Sequence, residues 1–134
     1  MGKTRARTPA EGMTLDAGAL IALDRGNKRM IALLHEGLAQ GRAFRVPTGV
    51  LAQAWRDGRT QVTLARFLRT EEVEIVPLDD QVARSCGELC GPSNTADIID
   101  ASVVILARER RDLIVTSDRS DLRRLDPAAK IIEV

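Results

Sequence analysis

The sequence predicts an α/β fold: a mostly parallel central sheet of four to five strands wrapped by helices. Three observations predict it. Short apolar runs with strand character alternate with longer helical patterns along the chain. Two of those runs stop at a proline, Pro47 and Pro77, which cannot continue a ladder. One long segment, "DIIDASVVILARER", is apolar nearly all round, as a helix buried in a layered fold would be. With 134 residues, 44% of them hydrophobic and 29% charged, the chain fits one globular domain.

The elements follow in order. Residues 1–12, "MGKTRARTPAEG", read as a flexible basic tail, and 13–134 as the folded domain. Met13–Leu15 is a first strand. "AGALIALDR" and "NKRMIALLHEGLAQ" are two helices parted at Gly26-Asn27. Met30, Leu33, Leu34 and Leu38 recur at helical spacing in the second, and Gly41 ends it. Phe44–Val46 is a second strand, after which Thr48 is a candidate N-cap for "GVLAQAWRD", stopped by Gly58. Thr60 is placed to cap "QVTLARFLR", with Val62, Ala65 and Leu68 on one stripe. Val73–Val76 is a third strand. Asp79 or Asp80 opens a helix through Leu89, broken at Gly91-Pro92. Ser93, Asn94 and Thr95 offer caps for the buried helix, which runs to about Arg110. Leu113–Thr116 is a fourth strand, Asp121–Leu125 a short helix, and Lys130–Val134 a last strand.

Composition narrows the function. The aromatics are Phe44, Phe67 and Trp55, with no Tyr, so the core must be aliphatic and a row of base-stacking rings is not available. No run approaches the ~18–20 apolar residues of a membrane span, and the basic leader lacks an apolar signal-peptide centre. Cys86 and Cys90, four apart on a helix, have poor geometry for a disulfide and read as buried small hydrophobes of a cytoplasmic protein.

The acids carry the chemistry. Asp16 ends the first strand, Asp118 lies just past the fourth after Thr116, and Asp97 and Asp100 share one face of the buried helix. In an open parallel sheet, ligands bind outside the carboxyl ends of the strands. Carboxylates gathered there repel one another and need a counter-charge, and no Lys or Arg is built into these motifs. An all-oxygen donor set suits Mg²⁺ or Mn²⁺, which supports metal-assisted phosphodiester hydrolysis. Structural roles stand beside this one. Asp97 suits the first turn of its helix, Asp121 the cap of the short one, and Asp16 the cap of "AGALIAL". Asp100 is the hardest to explain that way, because an acid inside an apolar helix is costly unless paired or ligated.

The order "LDAGALIAL", "VPTGVLAQAW", "DIIDASVVILA", "LIVTSD" resembles the PIN domain, and more narrowly the VapC-type toxins of bacterial toxin–antitoxin pairs. The similarity spans nearly all of Met13–Val134. It implies a PIN-like α/β/α sandwich and an Mg²⁺-dependent ribonuclease that cuts RNA, forms a homodimer and is held by a cognate antitoxin protein. The family's metal-site aspartates fall on Asp16, Asp100 and Asp118. The usual glutamate of the helix after the second strand falls on Gln53, an amide that brings no charge. Asp97, one turn from Asp100, or Asp57, one turn beyond Gln53, could supply the missing carboxylate; otherwise the metal is held weakly. Gln53, Thr116 and Asp121 are candidates to line the site.

RNA requires cations for its phosphates. Arg56 and Arg59 are the leading candidates, with Arg66 and Arg69 behind them, while Arg108, Arg110 and Arg111 suit a helix C-terminus in any case. Trp55 reads as a core or interface residue, Met30, Leu33 and Leu34 as core, and His35 as exposed. A catalytically weak module that binds RNA or a protein partner is the second reading, and Gln53 separates the two. A phosphotransfer or dehalogenase-type reading with Asp16 as nucleophile lacks a second acid two residues on.

Overall fold

The computed structural model describes residues 11–93 and 97–134, of Ser93 the backbone alone. The strands are β1 (Met13–Leu15), β2 (Phe44–Pro47), β3 (Val73–Val76), β4 (Leu113–Thr116) and β5 (Ile131–Glu133). They form one wholly parallel sheet in the order β3-β2-β1-β4-β5. The helices are α1 (Ala17–Asp24), α2 (Lys28–Ala39), α3 (Thr48–Ala54), α4 (Val62–Leu68), α5 (Asp80–Ser93), α6 (Ile98–Arg110) and α7 (Arg119–Leu125).

This order positions the site. The chain steps outward from β1 to β2 to β3, then returns to lay β4 and β5 on the other side of β1. Parallel crossovers keep one hand, so the reversal sends the two sets of helices to opposite faces. Accordingly α1 packs with α2, α3 and α4, while α5, α6 and α7 pack together. The order reverses between β1 and β4, and a crevice opens at their carboxyl ends.

The core is aliphatic, as the composition requires. Leu15, Leu20, Leu23, Met30, Val46, Leu64, Val103, Val104, Ile114 and Leu122 are fully buried, and Phe44 meets Phe67 edge-on with centroids 5.8 Å apart. Each such side chain contributes about 1.5–3 kcal/mol through burial. Met30 and Leu34 are core residues, and His35 is exposed. Cys86 and Cys90 are buried free thiols. At the amino end of the sheet Asp112, with a side chain 0% exposed, takes Arg45 at 2.6 Å and the Thr14 hydroxyl at 2.8 Å. Glu74 joins Arg45 to Arg110 there.

Several local expectations change. Thr48 does not cap α3. It is the first helical residue, and its hydroxyl accepts from the Leu78 N–H at 3.2 Å. That helix ends at Ala54 rather than Gly58, because the Gln61 side chain offers the backbone other partners. Its Oε1 accepts from the N–H groups of Arg56 and Asp57 at 2.6 and 2.9 Å, and its Nε2 donates to the Ala54 carbonyl at 2.9 Å. Thr60 caps nothing: its hydroxyl donates to the Asp57 carbonyl, and α4 starts at Val62. Val62 is 52% exposed, so the buried stripe of α4 is Leu64, Ala65 and Phe67. Helix α5 continues through Gly91-Pro92 to Ser93, since a proline near a helix end removes only one ladder bond. The proposed caps Asn94 and Thr95, and the side chain of Ser93, lie outside the described residues, and Asp97 caps α6. Asp118, not Asp121, caps α7, which starts at Arg119. Of the tail, residues 1–10, Arg5 and Arg7 included, lie outside the described residues. Glu11 and Gly12 are fastened to the fold through Arg42 and the Leu113 N–H.

Helix α6 ends with Arg111 in the left-handed region at φ 59°, and the Asp112 N–H reaches back to the Ala107 carbonyl. A side chain there costs about 1–2 kcal/mol per residue, less what glycine loses in entropy. Arg111→Gly should therefore stabilise the fold by about 0.5–1 kcal/mol, read as a rise in the urea midpoint at unchanged slope. A fall in the midpoint would mean that the arginine makes a contact worth more than the strain.

Candidate functional site

Two strand ends and one helix start meet at the crevice. Asp16 follows β1 and caps α1, its Oδ1 accepting from the Ala19 N–H at 2.9 Å. Its Oδ2 accepts from the hydroxyl of Thr116, at the end of the paired strand β4. Thr116 in turn accepts from the Asp118 N–H at 3.0 Å. One buried threonine thus ties both acids to the sheet. Asp16 is only 9% exposed. Burial raises its pKa, bonds from Thr116 and Ala19 oppose this, and the Asp118 charge raises it further.

Asp118 is exposed and caps α7. Its Oδ1 accepts from the Ser120 hydroxyl at 2.7 Å and the Ser120 N–H at 3.1 Å, and these bonds hold its carboxyl below the usual range. Gly18 lies under this turn. A Cβ there would stand 2.1 Å from the Ser117 Oγ and 3.1 Å from its Cβ, so any larger residue would have to turn the Ser117 hydroxyl aside and push the β4–α7 connection back by a few tenths of an ångström.

The other acids come from α6. Asp97 is the N-cap, its Oδ1 accepting from the Asp100 N–H at 2.9 Å. Asp100 is half-buried one turn on. Burial, then the charge and hydrogen bond of Asp97, then the charges of Asp121 and Asp16, push its carboxyl up to about 7. The two groups of acids therefore lie in one electrostatic neighbourhood, which Asp121, in the first turn of α7, shares.

Gln53 lies on α3, one turn beyond Gly49. A Cβ at Gly49 would stand 2.4 Å from the Ile99 Cδ1, so this flank of α3 presses on the start of α6 beside Asp100. The Gln53 side chain is exposed and makes no hydrogen bond among the described residues. Asp57 does not follow it on the helix. It lies in the next turn, bound to the Arg59 N–H at 2.9 Å and to the Arg59 guanidinium at 3.2 Å. Arg56 is held on the carbonyls of Ala52 and Trp55. Neither arginine touches an acid of the crevice. Trp55 is 38% exposed, its ring over Gly58, in an apolar groove with Leu51, Leu68 and Ile75.

Among the described residues, no three His, Cys, Asp or Glu side chains converge tightly enough to hold a metal ion as they stand. Asp16, Asp97 and Asp118 each accept a helix-cap bond at one carboxylate oxygen. The chemistry of the donor set still fits a hard divalent cation. Its donors are all oxygen, and Asp16, Asp100, Asp118 and Asp121 have no ion pair among the described residues. Half-buried carboxylates without a cation repel, and turning Asp118 from Ser120 costs two exposed bonds. Gly18, Ser117 and Ser120 were not foreseen as parts of the site. A glycine in the first helical turn of "DAGA" and the D-x-S of 118–120 are the signals that carried them.

No family model matches the chain, and no curated protein matches it in sequence. Solved structures do. VapBC2 from Rickettsia felis, bound to a promoter DNA fragment, matches with TM-score 0.68 and 18% identity over 91% of this chain and 98% of that one. The DNA-bound VapBC of Salmonella typhimurium matches at 0.69 and 17% identity, over 92% and 98%. Mycobacterium tuberculosis VapC20, described as a toxin that cleaves the sarcin–ricin loop, matches at 0.65 and 15% identity, over 92% and 98%. The likeness shows the fold: the chain is built on the PIN-like fold of VapC-type proteins.

Proposed function

We propose that this chain, built on that fold, is the Mg²⁺-dependent endoribonuclease toxin of a toxin–antitoxin pair, with Mn²⁺ able to replace Mg²⁺. The observation that carries the reading is the gathering of acids at the β1/β4 switch point, where Asp16, Asp100, Asp118 and Asp121 have no ion pair among the described residues and burial, then the neighbouring carboxylates, push Asp100 up to about 7. Asp16, Asp100 and Asp118 are its metal-site carboxylates and Asp97 the fourth. A divalent cation held there would activate water and offset charge on the scissile phosphate. Thr116 fixes the Asp16 carboxylate and the Asp118 backbone, so that both acids keep their place when RNA enters. Asp97 orients the first turn of α6 and so aims Asp100. Asp121 adds negative charge that strengthens the demand for a cation.

RNA substrate, an antitoxin protein, a homodimer and a cytoplasmic setting belong to the same reading. The VapBC neighbours support the antitoxin, and the exposed Trp55, Ile75 and Leu78 support protein contact. Among the described residues, no helix is long and apolar enough to cross a membrane. The test is cleavage of a structured RNA by the purified protein. Cleavage should require Mg²⁺ or Mn²⁺ and stop with EDTA; cleavage that persists in EDTA would refute the metal mechanism.

A weak or non-catalytic RNA-binding module is the second reading, favoured by Gln53, which stands uncharged on the flank of α3 nearest Asp100. Gln53→Glu separates the two. A carboxylate about 4 Å from the ion adds about 1–4 kcal/mol of attraction. This position is exposed, so the lower end applies, a several-fold tightening of Mn²⁺ binding measured by calorimetry. If affinity is unchanged while Asp97→Asn lowers it as much as Asp16→Asn, Asp97 already completes the site. If neither variant changes affinity, Gln53 and Asp97 both lie outside it.

A further inference from the structure

We propose that the turn between α1 and α2 and the loop between α3 and α4 form one phosphate-binding surface, which carries the RNA beyond the cleavage site. This rests on the ribonuclease reading. Four observations support it. The first turn of α2 opens with Lys28 and Arg29 and contains no acid. Cations at the positive end of a helix are disfavoured by its dipole. Second, Arg25, Lys28 and Arg29 are exposed, and their side chains have no ion pair among the described residues, so their charges are open to a ligand. Third, the two segments are joined. The Gln61 Nε2 donates to Asp24 Oδ2 at 3.3 Å, while its Oε1 accepts from the N–H groups of Arg56 and Asp57. Every hydrogen-bonding capacity of this one amide is used, and it fastens the loop bearing Arg56 and Arg59 beside Arg25. Fourth, within residues 24–29 and 55–61 five cations stand against two acids, Asp24 and Asp57. The first is bound to Gln61 and the second to Arg59, in a chain whose whole net charge is +1.

The partner follows from this chemistry. Guanidinium groups on rigid turns, with little acid to neutralise them, suit a repeated phosphate, to which they can donate in pairs. The distance suits RNA as well. Helix α1 runs eight residues, Ala17–Asp24, from its Asp16 cap, about 12 Å at 1.5 Å per residue. That is several phosphates along a duplex at about 3.4 Å per strand. Gln61 is a positioning residue, since it acts through the arginine loop and touches no phosphate.

The experiment measures binding of a fluorescein-labelled RNA hairpin to the full chain in EDTA, against salt, and separately its cleavage with Mg²⁺. The variants are Lys28→Gln with Arg29→Gln, Arg25→Gln with Arg59→Gln, and Gln61→Leu. Arg84→Gln, from the exposed Asp80 pair on α5, is the control. Each pair should weaken binding about tenfold or more and lower the salt slope by about 0.7–0.9 per charge removed. KM should rise with kcat nearly unchanged. Gln61→Leu should weaken binding without lowering the slope by a full charge; a fall like that of a charge removal would contradict its positioning role. Binding and slope unchanged in both charge pairs would overturn the surface, while intact metal-dependent cleavage left the ribonuclease reading standing. Patch-dependent binding without any cleavage would keep the surface and overturn the ribonuclease. A wild-type chain that neither binds nor cuts the hairpin overturns both.

Discussion

Asp100→Asn is expected to abolish metal-dependent cleavage of RNA, by a factor on the order of a hundred to a thousand or more, while leaving the metal-free protein at least as stable as the wild type. Both results follow from one placement. Asp100 stands in the first turn of a helix buried against β1, β2 and β4, next to the Asp97 carboxylate and within the field of Asp121 and Asp16. Its ionised form is disfavoured by burial and by three like charges. Asparagine keeps the shape and removes the charge, so the repulsion is relieved where no cation is present. With Mg²⁺ present the same change removes a ligand charge that the mechanism requires. Activity and stability therefore move in opposite directions, which a merely structural residue would not show. Thermal melting in EDTA and single-turnover cleavage with Mg²⁺ measure the two. An inactive variant that also melts lower in EDTA would mean that Asp100 supports the fold, and the metal assignment would fail.

The second large effect is a reversal of the usual pH dependence. Most carboxylates in folded proteins sit below their ordinary pKa and stabilise as pH rises. For Asp100 the folded value, about 7, lies above the ordinary 3.8, so between those values the folded state binds more protons than the unfolded one. Stability contributed by this group is thus present in full below about pH 4 and is lost as pH rises through about 7. Asp16, also raised by burial, acts in the same direction. Asp118, held low by Ser120, acts oppositely and loses its contribution as pH falls. In EDTA the protein should lose stability from pH 5.5 to 8, on the order of a few degrees in Tm. Added Mg²⁺ or Mn²⁺ should recover the loss at pH 8 and do little at pH 5.5. Below about pH 7 a proton competes with the cation, so affinity should fall by up to about tenfold per pH unit. Calorimetric titrations at three pH values would check this. Cation affinity independent of pH across 6–8 would show that Asp100 does not bind the ion.

The sequence by itself determined the alternation of strands and helices, the aliphatic core, and the acids at the ends of the first and fourth strands. These are local facts. Leu113–Thr116 reads as a strand from its own residues, and Asp118 follows it whatever else the chain does. Period and punctuation are written in adjacent positions, so they survive without knowledge of the fold. The caps were less legible. In "TSDRSD" either Asp118 or Asp121 suits a helix start, and the choice fell to Asp118 because Thr116, on the neighbouring strand end, takes its N–H. Thr48 and Thr60 carry cap chemistry too, but their hydroxyls were drawn to Leu78 and Asp57. Only the tertiary structure decided the strand order, and with it the crevice between β1 and β4. It alone set the closeness of Gly18 to Ser117, and the bond from Gln61 to Asp24 that joins two distant turns. It also decided the state of Asp100, since a carboxyl's pKa depends on burial and on charges that approach through space. Asp16 and Asp121 lie 84 and 21 residues from Asp100 along the chain, and no local pattern records that folding brings their charges to bear on it.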